Sequence, residues 1–212
     1  MFGFLTWEMV WVSFASYLVG SIPFGLIIGK LFKGVDVRKQ GTGNIGASNV
    51  ALVAGPLAGL WVVVGDALKG MVAVSLARLL LGGGTAWPIA IAALCAILGH
   101  DFSVFLKFQG GKGVATLGGV LLALDIQLAL SAILLWLLFA LLVKYMTGST
   151  LLVLTLLPLL MWIFFAEPAY VALAAVNALI AFVRHRDNLR RIFRGEEPTL
   201  SLLGKFFARR TV

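Results

Sequence analysis

Cysteine, histidine and charge are all scarce in this chain, and each scarcity excludes something. Of 212 residues one is cysteine, Cys95, inside an apolar run. No disulfide framework and no cysteine metal site can be built within one chain from it. Two histidines, His100 and His185, exclude a histidine-rich metal centre. Charged residues make up 12% of the chain, about half of what a soluble domain carries. Hydrophobic residues make up 61%, and the mean hydropathy is +1.03. A soluble domain is excluded by those values, and an integral membrane protein of one compact domain, residues 1–212, is implied. The net charge of +8 would suit nucleic acid in a soluble protein. Here the basic residues lie between apolar spans, so they read as a topology signal, and no nucleic acid partner is expected.

The apolar runs are long enough for membrane helices of about 20 residues. They cover Trp7 to Ile28, Val53 to Leu81, Trp87 to Leu98 and beyond, Leu151 to Phe165, and Pro168 to Val183. The first lacks a basic n-region, so it reads as a span and not as a cleaved signal. Val114 to Val143 is too long for one simple span and carries Asp125 near its centre. Parity decides its reading. With the basic loop Lys30 to Lys39 inside, one crossing here would put the arginine-rich tail outside, whereas two crossings turning near Asp125 return it inside. The expected fold is all-α, with seven transmembrane helices, the N-terminus outside and the C-terminus cytoplasmic. That arrangement places 15 of the 17 Lys and Arg residues inside, with Lys69 within a span and Arg78 outside, as the positive-inside rule requires. Residues 185–212 alternate basic residues with Leu189, Ile192, Phe193 and later aromatics, a pattern for helices lying on an anionic leaflet. Pro198 is expected to divide this tail, with Thr199 or Ser201 capping a second piece.

Three polar stretches interrupt the apolar pattern, and all three fall on the inner face in this topology. Gly41-Thr42-Gly43-Asn44-Ile45-Gly46 matches a dinucleotide fingerprint by spacing, but no βαβ unit surrounds it. Glycines that turn a backbone tightly expose N–H groups to an anion, and Asn44, Ser48 and Asn49 add polar side chains. The loop precedes a membrane helix whose N-terminus favours negative charge. Gly110-Gly111-Lys112-Gly113 forms a second glycine turn with a lysine able to hold phosphate as a point charge. His100 begins that loop and reads as an interfacial residue. Asp66 and Lys69, three residues apart in a span, share a helix face and are expected to turn inward. His185 and Asn188 share the same spacing where the last span ends, a plausible place for a base or hydroxyl-orienting pair. Thr147, Ser149 and Thr150, in a short inner loop after Lys144, add hydroxyls, and Glu197 is expected to tie the tail to basic groups.

Taken together, these segments resemble the bacterial acyl-phosphate:glycerol-3-phosphate acyltransferase family. The resemblance rests on Gly20-Ser21-Ile22-Pro23-Phe24-Gly25, Asp36-Val37-Arg38 with Gly41 to Asn49, and Asp66-x-x-Lys69-Gly70. It continues through Gly99-His100 with Gly110 to Thr116, and Arg184-His185-Arg186-Asp187-Asn188 with Gly195 and Glu197. It implies a multi-pass enzyme of the bacterial inner membrane, without metal or cofactor, its active site facing the cytoplasm. The implied reaction moves a fatty acyl group from acyl phosphate to the 1-hydroxyl of glycerol 3-phosphate, giving lysophosphatidic acid for phospholipid synthesis. It further implies that Gly41, Gly43, Gly46, Ser48 and Asn49 hold the donor phosphate with Arg38. Gly110, Gly111, Lys112 and Gly113 would hold glycerol 3-phosphate, with Thr147 and Thr150 contributing. The catalytic set is then His185, Asn188, Thr42 and Asn44, supported by Asp66, Lys69 and Glu197. Two positions depart from the family pattern: Thr42 stands where serine is usual, and Leu52 where arginine is usual. Leucine cannot replace an arginine fork, so Arg38, Lys39 or another cation serves instead, or the activity differs. A transporter for anions or phosphorylated solutes, and a non-catalytic lipid-binding relative, are the alternatives. Polar motifs confined to one face and the lack of an internal repeat argue against the transporter.

Overall fold

The computed structural model describes residues 6–82, 86–143 and 145–199. All regular structure among them is helical. The chain forms two compact units, one running to Ile126 and the other beginning at Gln127.

In the first unit, α1 (Trp7–Ser21) opens on Thr6, whose hydroxyl accepts from the Met9 N–H. It stops where Ile22 precedes Pro23, because a residue before proline is pushed out of the helical region. Helix α2 (Phe24–Lys33) resumes and ends on left-handed Gly34, with Lys30 and Lys33 against its C-terminal dipole. The two together form an apolar run of 27 residues, Trp7–Lys33. A short helix, α3 (Ala47–Ala54), precedes the long α4 (Pro56–Leu81). The expected single run from Val53 is therefore broken, because Gly55 takes φ 98° and Pro56 restarts the helix at its first position. Helix α5 (Ala86–Asp101) follows, then α6 (Val114–Leu124).

Asp125 is extended and separates α6 from α7 (Ile126–Val143), so the long apolar stretch does break where its one carboxylate lies. Arg78, on α4, donates to the Ala123 and Leu124 carbonyls at the end of α6. It thereby takes the place of the next helical turn. At about 1.5 Å per residue, α6 is only ~16 Å long.

Glycine governs the packing of this unit. A side chain at Gly20 of α1 would strike the Ala96 backbone of α5, and one at Gly99 of α5 would strike Tyr17 and Gly20 of α1. Gly70 of α4 meets the Thr116 backbone of α6, while Gly119 of α6 meets Ala67 of α4. Small residues let membrane helices approach until their backbones touch, which is how packing replaces the hydrophobic effect in lipid. The outward faces carry Trp11, Leu57, Trp61, Leu79 and similar exposed apolar residues.

The second unit holds most of α7, then α8 (Met146–Phe165), α9 (Pro168–Arg184) and α10 (Arg186–Phe193). Helix α8 starts five residues before the expected Leu151. Thr147, Ser149 and Thr150 therefore lie in its first turns and not in a loop. The α8–α9 turn pairs the rings of Phe165 and Tyr170 at 4.9 Å. Helix α10 bends 60° from α9 at His185, with Arg186 and Arg190 exposed and Phe193 on the surface. Ser201 and the rest of the expected second tail piece lie outside the described residues.

Five helical stretches among the described residues are long and apolar enough to cross a membrane, or six if α9 and α10 form one bent span; α6 is a shorter apolar helix. This is a multi-pass integral membrane protein.

Adjacent glycines on α6 test the packing. Gly119→Ala forces a methyl into the α4 backbone, whereas Gly118 faces open space. Gly119→Ala is expected to lower stability by about 1–3 kcal/mol, while Gly118→Ala is neutral or stabilising by up to about 1 kcal/mol. Thermal unfolding of both variants in one detergent checks the contrast.

Candidate functional site

The first glycine loop is built around Asn49. Its amide donates to the Val37, Gln40 and Asn44 carbonyls at 2.9, 3.2 and 2.8 Å, and its oxygen accepts from the Thr42 N–H at 2.7 Å. Gly41, at φ 60°, passes so close to this side chain that a methyl there would collide with it. The Asn44 oxygen accepts from the Gly46 N–H at 2.7 Å, and the Gly43 N–H binds the Gln40 carbonyl. Asn49 thus organises the loop from within. A buried amide that organises three carbonyls is not available to a ligand, and the N–H groups of Thr42, Gly43 and Gly46 are bonded within the loop. Helix α3 opens at Gly46 without a side-chain cap, so its first-turn donors point out of the helix end. Thr42 and Ser48 are exposed beside it, and Ser48 and Asn49 belong to the helix.

Asp36 caps the short Val37–Lys39 turn and receives both prongs of the Arg38 fork, at 2.9 and 2.7 Å. The Arg38 hydrogen bond pulls the Asp36 carboxyl down to about 2. Leu52 lies on α3 and brings no cation to this loop.

The second loop folds back onto the end of α5. The Gly111 N–H binds the His100 carbonyl at 3.0 Å and the Gly110 N–H binds the Asp101 carbonyl at 3.1 Å. These two donors are also directed inward, contrary to an open nest. Ser103 donates to the Ser21 carbonyl at 2.6 Å and Tyr17 to the Phe102 carbonyl at 2.7 Å. Lys112 is half-buried, and left-handed Gly113 starts α6 without a side-chain cap.

His100 is buried. Its Nδ1 lies 3.4 Å from Asp66 Oδ1, which also meets Lys69 Nζ at 2.7 Å. Lys69 donates to the Ile22 carbonyl at 3.1 Å and stands 5.9 Å from the centre of the Phe24 ring. It lies 13 residues into α4, or ~20 Å along the helix axis. Sequence reasoning identified Asp66 and Lys69 as an internal pair but missed His100 and Asp101. The dipeptide stands at the edge of an apolar run, and only the fold turns it inward.

In the second unit Glu197 gathers the polar side chains. Its carboxylate accepts from Asn188 at 2.6 Å, Thr147 at 3.0 Å and Arg191 at 2.8 Å. Burial acts to raise its pKa, but the hydrogen bonds from Asn188, Arg191 and Thr147 outweigh it and hold the carboxyl below its ordinary value. Thr150 is bonded on both sides, accepting from Trp136 and donating to Met146, and so serves as a helix contact. His185 is buried, with Nδ1 2.9 Å from the Ala181 carbonyl. That oxygen can only accept, so Nδ1 carries a proton, and Nε2 is the nitrogen left to act as a base when the ring is neutral. No cluster of three metal-ligating side chains occurs among the described residues.

The fold and these sites define a class: an all-helical membrane protein whose polar residues surround helix starts suited to anions. The profile of the glycerol-3-phosphate acyltransferase family matches residues 10–195. The relative from Nitrobacter winogradskyi is 45% identical over 88% of this chain and 93% of its own length. That from Bacillus subtilis is 42% identical over 89% and 95%. Both are named glycerol-3-phosphate acyltransferase. The crystal structure of PlsY, an integral membrane glycerol 3-phosphate acyltransferase, is 34% identical in its glycerol 3-phosphate form. It covers 94% of this chain and 98% of its own, with a TM-score of 0.87. Its lysophosphatidic acid form gives a TM-score of 0.84 over 92% and 96%. The chain belongs to the glycerol-3-phosphate acyltransferase family.

Because the folded Glu197 carboxyl is depressed, its contribution is complete above its unfolded value of about 4.3. It is lost as pH falls from there through the folded value. Glu197→Gln is expected to cost about 1–3 kcal/mol at pH 7 and to flatten the acid limb of the stability curve. Thermal unfolding of both proteins from pH 7 to pH 3 measures it.

Proposed function

We propose that this membrane protein transfers a fatty acyl group from acyl phosphate to the 1-hydroxyl of glycerol 3-phosphate, producing lysophosphatidic acid and inorganic phosphate. The observation that carries the proposal is its likeness to a glycerol 3-phosphate acyltransferase solved with glycerol 3-phosphate and with lysophosphatidic acid. The two chains match over nearly their full lengths. The reading takes residues 1–212 as one domain crossing a bacterial inner membrane seven times, with the basic loops and the C-terminus in the cytoplasm. It counts the five long apolar stretches, the bent α9–α10 pair and the short α6 as its seven crossings. The basic α10 is taken to rest on the inner leaflet.

In this reading the acyl chain stays in lipid, and the donor phosphate meets the uncapped start of α3. The Thr42 and Ser48 hydroxyls, Asn44, and the backbone of Gly41, Gly43 and Gly46 surround it, while Asn49 holds the loop. Arg38 is the nearby cation able to fork a phosphate. Glycerol 3-phosphate is assigned to Lys112 and the start of α6, where Gly110, Gly111 and Gly113 shape the turn. His185 and Asn188 are assigned to the attacking hydroxyl, with Glu197 and Thr147 orienting Asn188. The hydroxyl oxygen bonds to the acyl carbon and the carbon–oxygen bond to phosphate breaks. The proton passes to His185 Nε2 or to a substrate phosphate oxygen. Preorganised donors around the developing charge favour this direct transfer, and no activated serine or cysteine is required.

Purified protein in detergent is to be offered glycerol 3-phosphate with acyl phosphate, acyl-CoA or acyl carrier protein. Lysophosphatidic acid and phosphate release are expected from the first donor alone. Lys112→Met and Asn188→Ala are expected to lower turnover ~100-fold or more, with unfolding midpoints near wild type for Lys112→Met. Product from acyl-CoA but not acyl phosphate would overturn the donor assignment.

Leu52→Arg tests the departure from the family pattern. If Arg38 serves in its place, the substitution changes kcat/KM for acyl phosphate by less than ~3-fold, within about 1 kcal/mol. A gain of ~100-fold would mean that the native loop lacks a needed cation.

A further inference from the structure

We infer that His100 is a positioning residue, held by Asp66 and Lys69, that sets the path of the Gly110–Gly113 loop and hence the affinity for glycerol 3-phosphate. This inference rests on the proposal that the loop binds that substrate. Three contacts carry it. The His100 carbonyl receives the Gly111 N–H at 3.0 Å. The Gly111 backbone lies so close to the His100 ring that a methyl at Gly111 would enter the imidazole. A side chain at Gly113 would reach Asp101 Oδ1 at 2.9 Å. The turn is therefore moulded on the last two residues of α5, and the imidazole forms part of the surface it follows.

The ring in turn has a fixed place. Asp66 Oδ1 lies 3.4 Å from its Nδ1, and the same oxygen is 2.7 Å from Lys69 Nζ. All three side chains are almost completely buried. Rotating the imidazole would leave the Asp66 carboxylate with one partner fewer in an apolar setting, where unanswered charge is expensive. Lys69 also donates to the Ile22 carbonyl, at the break between α1 and α2. Just beyond that break, Gly25 of α2 abuts the Ile45 carbonyl of the first glycine loop. One buried ionic group thus supports the second loop directly and the first through α2. Its direct contact is with the second loop, so the larger effect belongs to the substrate bound there.

The test uses full-length protein in detergent and four variants: His100→Gln, Asp66→Asn, the double variant, and Lys112→Met as reference. Initial rates are measured against glycerol 3-phosphate at saturating acyl phosphate, and the reverse, with unfolding midpoints in parallel. His100→Gln and Asp66→Asn are each expected to raise the KM for glycerol 3-phosphate ~10-fold or more. The KM for acyl phosphate should stay within ~2-fold, and the double variant within ~2-fold of the worse single one, because both act through one contact. Equal rises in both KM values with a falling midpoint would mean a general structural role and overturn the inference. So would unchanged kinetics. If Lys112→Met raises the glycerol 3-phosphate KM while His100→Gln does not, positioning fails and the substrate assignment stands. If Lys112→Met leaves that KM unchanged, both fail. Should Asp66→Asn not accumulate, the KM split of His100→Gln decides alone.

Discussion

A lysine in the middle of an apolar helix must have its charge answered, and in the first unit the arrangement of four helices follows from that need. Lys69 has Asp66 on its own helix, the Ile22 carbonyl at the end of α1 and the Phe24 ring at the start of α2. Asp66 in turn meets His100 at the end of α5. At the proline break the Ile22 carbonyl accepts from both the Phe24 N–H and the lysine ammonium. The same group thus satisfies a broken backbone and holds helices together. Lipid offers no water to do either.

Glycine does two different jobs around this centre. On α1, α4, α5 and α6 it removes side chains so that backbones touch. In the two loops it admits tight turns whose N–H groups bond, in the first, to the loop itself and, in the second, to the end of α5. Those loops are accordingly closed structures and not open rows of donors. What they present outward is the uncapped beginning of a helix, α3 after Gly46 and α6 after Gly113. A rigid loop ahead of an unsatisfied helix end suits a phosphate better than a loop that must reorganise to bind one, because the donors are oriented before the ligand arrives.

Hydropathy made much of this fold readable. Asp125 marked the break between α6 and α7, since a carboxylate and an extended backbone belong at the end of a helix and not in its middle. Composition could not reveal that α8 begins at Met146, because Thr147, Ser149 and Thr150 look like loop residues until their hydroxyls are seen bonding within α8 and to Trp136, Glu197 and the Tyr145 carbonyl. Asn49 read as a ligand for the same reason. A side chain that organises carbonyls up to 12 residues away has no local signature. His100 was hidden because its burial depends on Asp66, 34 positions earlier in the chain. The polar residue types of the two loops were legible, whereas which of them hold the loops together required the fold.

The same distinction bears on the leucine at position 52. Arg38 is forked onto Asp36, and the depressed carboxyl stays ionised throughout the physiological range. Ionisation alone does not remove Arg38 from use. The pair is solvent-exposed on the arginine side, and exposed ion pairs contribute only about 0–1 kcal/mol. A phosphate carrying more charge and more acceptor oxygens than a carboxylate can compete for the guanidinium at little cost. An arginine fixed on α3 would be oriented in advance, whereas one drawn from Asp36 must be reoriented on binding. In the proposed reaction that difference falls on donor affinity more than on the transfer step, since phosphate is already bound when the acyl carbon is attacked.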